Sequence, residues 1–352
     1  MPLPFRIIGK TFLGIDVGTS CIKIVELSKF GKRIKLENYG EIGAPAFYER
    51  PFRTVEKTTL LLSSRDIAKA ILAILEEAKI KTKKVIFSIP DFSTFFTWFD
   101  LPPMTREEIS EAVRYEARRH IPVPLSEVTL DWQIIEGLSD RERTKLKILL
   151  IAVPNETIEQ YRQIAELTHF ELQALEAEVF AFSRSSLRDE KGTVLLVDIG
   201  ARSTTCSIID KGVLKRSYSF DISGNELTNT LAKSLNITFP EAEKLKKQYG
   251  LLPERNLEKT FLPLIDLVLM EVEKVSKNFY YSESKEVQKV ILGGGTALLA
   301  GLKEYFAQNL KKEVVVADPF ANIFYPPILE KTLKEIGPAY TIAVGAALRG
   351  LE

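Results

Sequence analysis

The chain has 352 residues, and its 48 lysines and arginines against 47 aspartates and glutamates leave a formal net charge of +1. Because one hydrophobic core stops growing at roughly 250–300 residues, this length predicts two lobes or domains. Hydrophobic residues at 45% and charged residues at 27% exclude a largely disordered chain, and the balanced charge argues against a nucleic-acid-binding protein.

The counts of histidine and cysteine restrict the kind of metal site and the cellular compartment that are compatible with this chain. With only two histidines, a multi-histidine metal site is excluded, and the two distant cysteines suit a reducing compartment. No apolar run approaches the roughly 18 residues that a membrane helix needs, and the opening segment lacks the apolar stretch of a signal peptide. We therefore expect a cytoplasmic protein without its own membrane span.

Two segments half a chain apart share one pattern. Leu13–Leu27 reads LGIDVGTSCIKIVEL and Leu195–Ile209 reads LLVDIGARSTTCSII, so that in each an apolar run reaches Asp-x-Gly and a second apolar run follows. This layout predicts a strand, a tight turn and a second strand. Asp16 of the first segment matches Asp198 of the second, an offset of 182 residues. The repeat predicts two similar lobes, each beginning with a hairpin.

The stretch between the hairpins contains elements that the repeat does not explain. A short strand VIFSIP ends at Pro90, and the capping-box spacing of Thr105 and Glu108 predicts the start of a helix. The further predicted elements are the helix of about Arg106–Arg119, strands at Leu130–Ile135 and Leu146–Val153, and an amphipathic helix after Asn155. We predict an inserted α/β subdomain over about residues 91–168.

The second half alternates helices and strands as well. Its predicted elements are helices at Asn225–Leu235, Pro240–Tyr249 and Leu262–Tyr281, a strand at Val287–Leu292, and a helix from Ala297 after a triple-glycine turn. This alternation predicts the α/β class. We predict a first lobe of residues 1–190 plus 336–352 and a second lobe of residues 191–335, with a helical subdomain at about 221–288.

The two Asp-x-Gly turns have the chemistry of a phosphate clamp. A glycine-rich turn lets backbone N–H groups approach phosphate oxygens, because no Cβ blocks the path. An aspartate beside each turn can hold Mg²⁺, usually through water. A single Asp-x-Gly is more often a plain turn, but two matching copies and the triple-glycine turn at Gly293–Gly295 favour the phosphate interpretation.

Five elements, in order, resemble one superfamily. The two hairpin segments are similar to the phosphate-1 and phosphate-2 motifs of the actin, Hsp70 and FtsA superfamily of ATP-binding proteins. VILGGGTALLAGL (Val290–Leu302) is similar to the adenosine motif, and Glu178–Phe182 and Ala339–Leu351 are similar to the two connecting helices. The resemblance implies an actin-like (ribonuclease H-like) two-lobed ATPase fold with ATP and Mg²⁺ as cofactors.

The resemblance also implies roles for single residues. Asp16 and Asp198 would lie near Mg²⁺. Glu178 would either orient the attacking water, with Glu176 as a rival for that role, or be an ordinary acid at the start of a helix. The residues that would contact the nucleotide are Gly18, Thr19, Ser20, Lys23, Gly200, Ala201, Arg202, Ser203, Gly224, Glu243, Lys246, Gly293, Gly294, Gly295 and Thr296.

Two of these roles have plainer alternatives. Glu243 and Lys246, spaced to share one helix face, match the acid and base that hold the ribose in relatives, or form a surface ion pair. The guanidinium of Arg202, which is unusual for the superfamily at this position, either pairs with phosphate or points to solvent.

Three further strings narrow the family. The PilM family of type IV pilus assembly proteins is closely resembled by SIPDFSTFFTWFDLPPM, EAVRYEARRHIPVPLSEVTLDWQII and LEAEVFAFSR. The predicted insert also follows VIFSIP, the position at which FtsA-like proteins carry their inserted subdomain (the FtsA-type insert). The resemblance implies an ATP-binding protein with at most slow ATPase activity, at the cytoplasmic face of the inner membrane.

The resemblance implies that the protein binds the N-terminal cytoplasmic tail of PilN in a groove beside the insert. It also implies other inner-membrane platform proteins and assembly ATPases as partners, but no nucleic acid. Membrane association would be peripheral, through the partner. The crowded aromatic residues Phe92–Phe99 would form the core of the insert or pockets for that tail. The alternatives are an FtsA-like filament protein of cell division and, in a third class, a small-molecule kinase of the same fold.

Overall fold

Two five-stranded sheets with the same topology form the framework of the chain. The computed structural model describes residues 9–43, 63–137, 145–187 and 190–352. With strands numbered along the chain, the first sheet contains β1 (Lys10–Val17), β2 (Cys21–Phe30), β3 (Arg33–Gly43), β4 (Lys84–Ile89) and β8 (Glu171–Ala177). Its order is β3-β2-β1-β4-β8, in which β1, β2 and β3 are antiparallel neighbours and β4 and β8 run parallel to β1.

The second sheet repeats this arrangement. It contains β9 (Thr193–Ile199), β10 (Thr204–Asp210), β11 (Val213–Phe220), β12 (Lys289–Gly293) and β13 (Glu313–Val316) in the order β11-β10-β9-β12-β13. The two predicted hairpins are therefore confirmed as β1–β2 and β9–β10, and even their register is equivalent: Asp16 pairs with Lys23, and Asp198 pairs with Thr205. Each hairpin is extended by a third strand, β3 or β11, that the sequence pattern did not reveal.

The first sheet is covered on one face by two helices, α1 (Ser64–Glu77) and α3 (Asn155–Leu167). Tyr161 and Ile164 of α3 are fully buried with Ile67 and Ile71 of α1 in one apolar cluster with β1, β2 and β4. The predicted insert of residues 91–168 includes α3, but the buried face of this helix lies in the core of the first lobe. α3 is thus a crossover helix between strands of the insert and β8.

Two helices, α4 (Glu178–Ser186) and α9 (Glu330–Leu351), pack against each other between the sheets. They include the two predicted connecting segments, although α9 begins nine residues earlier than the segment from Ala339. Glycines allow close backbone contact: a Cβ on Gly345 would lie 1.8 Å from the carbonyl oxygen of Ala181, and one on Gly14 would lie 2.0 Å from that of Ala343. The lobe boundaries themselves remain a prediction.

The described residues of the insert form a three-stranded antiparallel sheet with one α-helix. It consists of β5 (Phe95–Leu101), β6 (Val128–Glu136), β7 (Leu146–Pro154) in the order β5-β7-β6, and α2 (Arg106–His120), which begins at the predicted capping box. Successive side chains of β5 point to opposite faces of the sheet, so its aromatic residues pack in two different cores. Phe95 and Phe99 pack under α2, whereas Phe96 and Trp98 pack toward the second lobe. Residues 138–144, between β6 and β7, lie outside the described residues.

The insert also bonds to the second lobe. The Trp98 indole N–H donates to the carbonyl oxygen of Leu214 in β11 (3.2 Å). Lys147 Nζ of β7 lies 2.8 Å from Glu283 Oε1, and buried Lys215 of β11 pairs with Glu136 of β6. The insert therefore spans from its attachment in the first lobe to the outer strand of the second sheet.

The second lobe carries four helices, α5 (Gly224–Leu235), α6 (Phe239–Tyr249), α7 (Glu258–Glu283) and α8 (Leu302–Leu310). The first three confirm the predicted helices. A helix does not begin at Ala297, because Gly295–Leu298 forms a single 3-10 turn and the chain then turns at Gly301, whose φ is +82°. No helix of the described ranges is long and apolar enough to cross a membrane.

Candidate functional site

Four carboxyl groups converge where parallel strands end. Asp16 lies near the carboxyl end of β1, Asp91 follows β4, Glu178 follows β8, and Asp198 lies near the end of β9. Because parallel strands of a sheet end at the same edge, and ligands of open α/β sheets bind there, this edge is the candidate site. A cavity at this point is lined by Asp91, Glu178 and Asp198 together with apolar side chains of α4 and α9.

Asp16 is buried and held by two partners. The Ser88 hydroxyl donates to Asp16 Oδ1 (3.2 Å), and Lys23 Nζ, from the paired position on β2, lies 3.8 Å from Asp16 Oδ2. Burial raises the pKa of Asp16, while the charge of Lys23 and the bond from Ser88 oppose that rise. Buried Asp16 and half-buried Lys23 thus form an ion pair on the first side of the site.

The carboxylate of Asp198 is less well satisfied than that of Asp16. Its Oδ1 is buried and has no hydrogen-bond partner among the described residues. Burial, and next the charge of Asp16, raise the pKa of Asp198 to about 7, against the opposing charge of Lys23. A buried carboxylate oxygen without a partner is costly, so this atom marks a position for a cation or its bound water.

The two hairpin turns have the same geometry. The Gly18 N–H donates to the carbonyl oxygen of Cys21 (3.1 Å), and the Gly200 N–H donates to that of Ser203 (3.0 Å). The intervening residues Thr19–Ser20 and Ala201–Arg202 form the tips, and all four are half-buried. The structure therefore presents two equivalent turns, one per lobe, as a phosphate clamp requires.

Arg202 does not extend into solvent. Its guanidinium carbon lies 5.2 Å from the centre of the Phe92 ring, in the 3-10 turn after β4. Nη1 of Arg202 is buried and has no acceptor among the described residues. Arg202 is half-buried as a whole, with one guanidinium nitrogen buried against the Phe92 turn, and its pairing with phosphate stays a prediction.

Glu178 and its rival Glu176 have different surroundings. Glu178 Oε2 accepts a hydrogen bond from the Asp91 N–H (3.2 Å), and Asp91 Oδ1 accepts one from the Val179 N–H (3.2 Å). Glu176 instead forms a bidentate pair with Arg184 (2.7 and 2.8 Å) away from the cavity. Only Glu178 is therefore placed to reach a ligand in the cavity.

The carboxyls of this cluster raise one another's pKa. Burial, followed by the charges of Asp16, Asp91 and Asp198, raises the pKa of Glu178 well above its ordinary value. Burial, with a smaller contribution from Asp198, raises the pKa of Asp91 to about 8. Sequence reasoning missed Asp91, which follows the apolar strand that ends at Pro90 but lacks the Asp-x-Gly pattern that singled out Asp16.

Glu243 and Lys246 meet on α6 beside the second hairpin turn. Lys246 Nζ lies 2.7 Å from Glu243 Oε2 and donates to the carbonyl oxygen of Gly224 (2.9 Å) and the hydroxyl of Thr228 (2.7 Å). Lys246 is 6% exposed, so this pair is not a solvated surface bridge. A Cβ on Gly224 would lie 2.4 Å from Thr296 Oγ1, which places all of these residues around one corner of the site.

The three glycines after β12 differ in their surroundings. A Cβ on Gly293 would lie 2.4 Å from the Phe182 ring, and one on Gly294, whose φ is +82°, would lie 2.4 Å from Asp198 Oδ1. A Cβ on Gly295 would meet nothing within 4 Å. Gly293 and Gly294 are thus needed for packing against α4 and β9, and only Gly295 faces open space.

Comparisons with known proteins agree with this geometry. The family model described as type IV pilus assembly protein PilM matches residues 14–351. The cell division protein FtsA of Enterococcus hirae is 23% identical over 386 aligned residues, which cover 95% of this chain and 86% of that protein.

Two solved structures show the fold. A chain of the PilM–PilN type IV pilus biogenesis complex superposes with a TM-score of 0.84 at 24% identity, covering 97% of this chain and 98% of that one. MreB5 of Spiroplasma citri bound to AMPPNP superposes with a TM-score of 0.53 at 13% identity, covering 98% and 96%. The predicted actin-like fold is confirmed. Since the family model matches nearly the whole chain, the chain belongs to the PilM family of type IV pilus assembly proteins.

Proposed function

We propose that this protein binds ATP with Mg²⁺ between its two lobes and holds the N-terminal cytoplasmic tail of a PilN-type inner-membrane protein. It would thereby act at the cytoplasmic face of the inner membrane, as part of the platform that assembles the pilus. Nucleotide binding is supported chiefly by Asp16 and Asp198, which each lie beside an equivalent turn. Asp198 Oδ1 is buried and lacks a partner within the described ranges.

The carboxylates fit a hydrated magnesium ion. No group of three or more His, Cys, Asp or Glu side chains within the described residues is arranged as a complete metal site. Mg²⁺ needs fewer protein ligands, because it keeps several waters and commonly takes one or two carboxylates plus substrate phosphates. Asp16 and Asp198 would hold the ion, and when bound it would neutralise negative charge on the phosphates.

The remaining residues would position the nucleotide. The backbone N–H groups of the two turns would bind phosphate oxygens, and Lys23 would add a positive charge on the first side. Gly295 would let the adenosine approach the backbone, and the ion pair of Glu243 and Lys246 would lie at the ribose. The Glu178 carboxyl would orient a water molecule. Burial and the neighbouring carboxyls raise its pKa and so disfavour its charged form, which makes it an inefficient general base, and hydrolysis would be slow.

The partner half of the proposal rests on the likeness to the PilM–PilN complex and on the insert. In the sheet order β5-β7-β6, strands β5 and β6 are the outer strands. An extended peptide can add along such an edge and place its apolar side chains between those of the sheet. Other platform proteins and assembly ATPases would then be recruited through the same complex.

Titration of the purified protein with a peptide of the PilN tail, with and without Mg-ATP, tests both halves. We expect saturable binding in both states and at least about fivefold tighter binding with Mg-ATP, a typical coupling between two sites. A peptide of scrambled sequence controls for nonspecific binding. If the tail does not bind in either state, the partner half is wrong, and if Mg-ATP alone leaves the melting temperature unchanged, the nucleotide half is wrong.

A second candidate, a filament protein of the FtsA type, is favoured by the match to FtsA over 95% of this chain. Sedimentation with Mg-ATP at rising protein concentration distinguishes the two. Under our proposal the protein stays in the supernatant at every concentration, whereas a filament protein moves to the pellet above a critical concentration.

A further inference from the structure

One contact connects the second hairpin turn to the segment that leads into the insert. Arg202 belongs to the turn between β9 and β10, in the second lobe, and Phe92 belongs to the turn between β4 and β5. The guanidinium carbon of Arg202 lies 5.2 Å from the centre of the Phe92 ring. This cation–π contact therefore crosses from one lobe to the other at the mouth of the candidate site.

The contact leaves Arg202 incompletely satisfied. Nη1 is buried and has no acceptor among the residues that the structure describes. A guanidinium carries five N–H donors in a planar fork, and a buried donor without an acceptor is unfavourable. A phosphate group would provide the missing acceptor, and charge-assisted bidentate bonds between arginine and phosphate are among the strongest hydrogen bonds in proteins.

Phe92 is well placed to pass on a movement of Arg202. It lies only three residues before Phe95, where β5 begins, and β5 carries Trp98, whose indole bonds to Leu214 of the second lobe. The same turn contains Asp91, which is bonded to Glu178 and Val179 at the start of α4. A change at Phe92 thus reaches both an outer strand of the insert and the connecting helix.

We propose that Arg202 is the residue that senses the bound triphosphate, and that Phe92 relays this state to the insert. This inference rests on the proposed function and deepens it. In the conformation described here, Arg202 stacks on Phe92. With nucleotide, the phosphate oxygens compete for the guanidinium, Arg202 leaves the ring, and the Phe92 turn and β5 change position relative to the second lobe. Because Arg202 contacts different groups in the two states, the nucleotide has the differential interaction that a conformational shift requires.

Phe92→Leu tests the relay, because it removes the aromatic ring but keeps an apolar side chain in the turn. We expect Phe92→Leu to bind Mg-ATP at least as tightly as the unaltered protein, because the guanidinium no longer has to leave the ring. Its affinities for the tail with and without Mg-ATP should differ by less than about twofold. Arg202→Lys keeps the charge and loses the planar fork, so we expect it to lose the same coupling and also to bind Mg-ATP about tenfold more weakly, the cost of one good charge-assisted contact.

Arg216→Lys is the matched control. Arg216 also stacks on an aromatic ring of the insert, with its guanidinium carbon 5.8 Å from the centre of the Trp98 ring, but it lies on β11, away from the turns. We expect this variant to keep the full nucleotide dependence of tail binding. A loss equal to that of Arg202→Lys would show that any weakened contact between the insert and the second lobe suffices, and would overturn the assignment to Arg202.

Fluorescence gives a readout that does not depend on the tail. The only two tryptophans, Trp98 and Trp132, both lie in the insert, so Trp132→Phe leaves Trp98 as a single probe. Mg-ATP should change the Trp98 emission in this background, and Phe92→Leu should abolish that change. If the unaltered protein binds Mg-ATP but Phe92→Leu keeps both the emission change and the coupling, the relay is wrong while the proposed function stands. If the unaltered protein does not bind Mg-ATP, the proposed function itself fails.

Discussion

Replacing Asp198 by asparagine is expected to stabilise the nucleotide-free protein above pH 7 and to abolish its stabilisation by Mg-ATP. Folding raises the pKa of Asp198 to about 7, above the ordinary value for an aspartate, so between these values the folded state binds more protons than the unfolded state. Stability attributable to this group is therefore lost as pH rises toward 7 and stays lost above it. An amide removes that penalty, and we expect a gain on the order of 1–2 kcal/mol at pH 8, since the buried amide carries a cost of its own.

Thermal unfolding at pH 6 and pH 8, with and without Mg-ATP, measures both effects. The unaltered protein should be less stable at pH 8 than at pH 6 without nucleotide, and it should gain about 3 kcal/mol from Mg-ATP at 100 times its dissociation constant. Asp198→Asn should depend less on pH and gain almost nothing from Mg-ATP. A variant that Mg-ATP still stabilises fully would contradict the placement of Asp198 beside the ion.

Asp210→Asn is the control, at the far end of the neighbouring strand β10. Lys285 Nζ lies 2.6 Å from Asp210 Oδ2, and the Thr193 hydroxyl donates to Oδ1 (3.0 Å). Burial opposes the charge of Asp210, but these bonds lower its pKa below the ordinary value. The same substitution should therefore destabilise the protein here, while the response to Mg-ATP is kept.

Replacing Gly345 by alanine is expected to destabilise the whole fold. The added Cβ would lie 1.8 Å from the carbonyl oxygen of Ala181, so α4 and α9 must move apart along the contact that joins the two sheets. Overpacking of this kind costs roughly 1–3 kcal/mol and more where backbone must move. We expect a loss at the upper end of this range, and for a chain of this size a clear fall in melting temperature.

Gly337→Ala, in the same helix α9, is the matched control. A Cβ there would lie 3.3 Å from Pro319 Cδ, a contact with a side chain rather than with backbone, and alanine favours helix over glycine by about 1 kcal/mol. This variant should melt within a few degrees of the unaltered protein. Equal losses for both variants would show that glycine is needed throughout α9, and that the contact with Ala181 is not special.

The parts of the site that sequence reasoning predicted are those fixed by short segments. Asp16 and Asp198 each follow an apolar strand and precede a glycine turn, and both the strand and the turn are local features. Because the two segments repeat the same sequence pattern, we could predict that they form equivalent hairpins, one in each lobe. The helices α2, α5, α6 and α7 were predicted for a similar reason, since caps and apolar periodicity lie within each element.

The parts that were missed depend on contacts between distant segments. The periodicity of α3 indicates an amphipathic helix, but only its packing with Ile67 and Ile71 shows that its apolar face lies against the first sheet. Glu176 and Glu178 are separated by one residue, and what distinguishes them is an arginine pair on one side and the Asp91 turn on the other. Likewise, nothing near Arg202 in the sequence indicates Phe92, which lies 110 residues earlier.

The repeated hairpins are alike in backbone but not in charge. At the position paired with the aspartate, β2 carries Lys23 and β10 carries Thr205. The positive charges of the two hairpins therefore lie at different places: Lys23 is on the second strand of the first hairpin, and Arg202 is in the turn of the second. A symmetric cleft would accept a phosphate chain in either direction. Under the proposed function, this difference in the placement of charge would let the protein distinguish the two ends of its nucleotide.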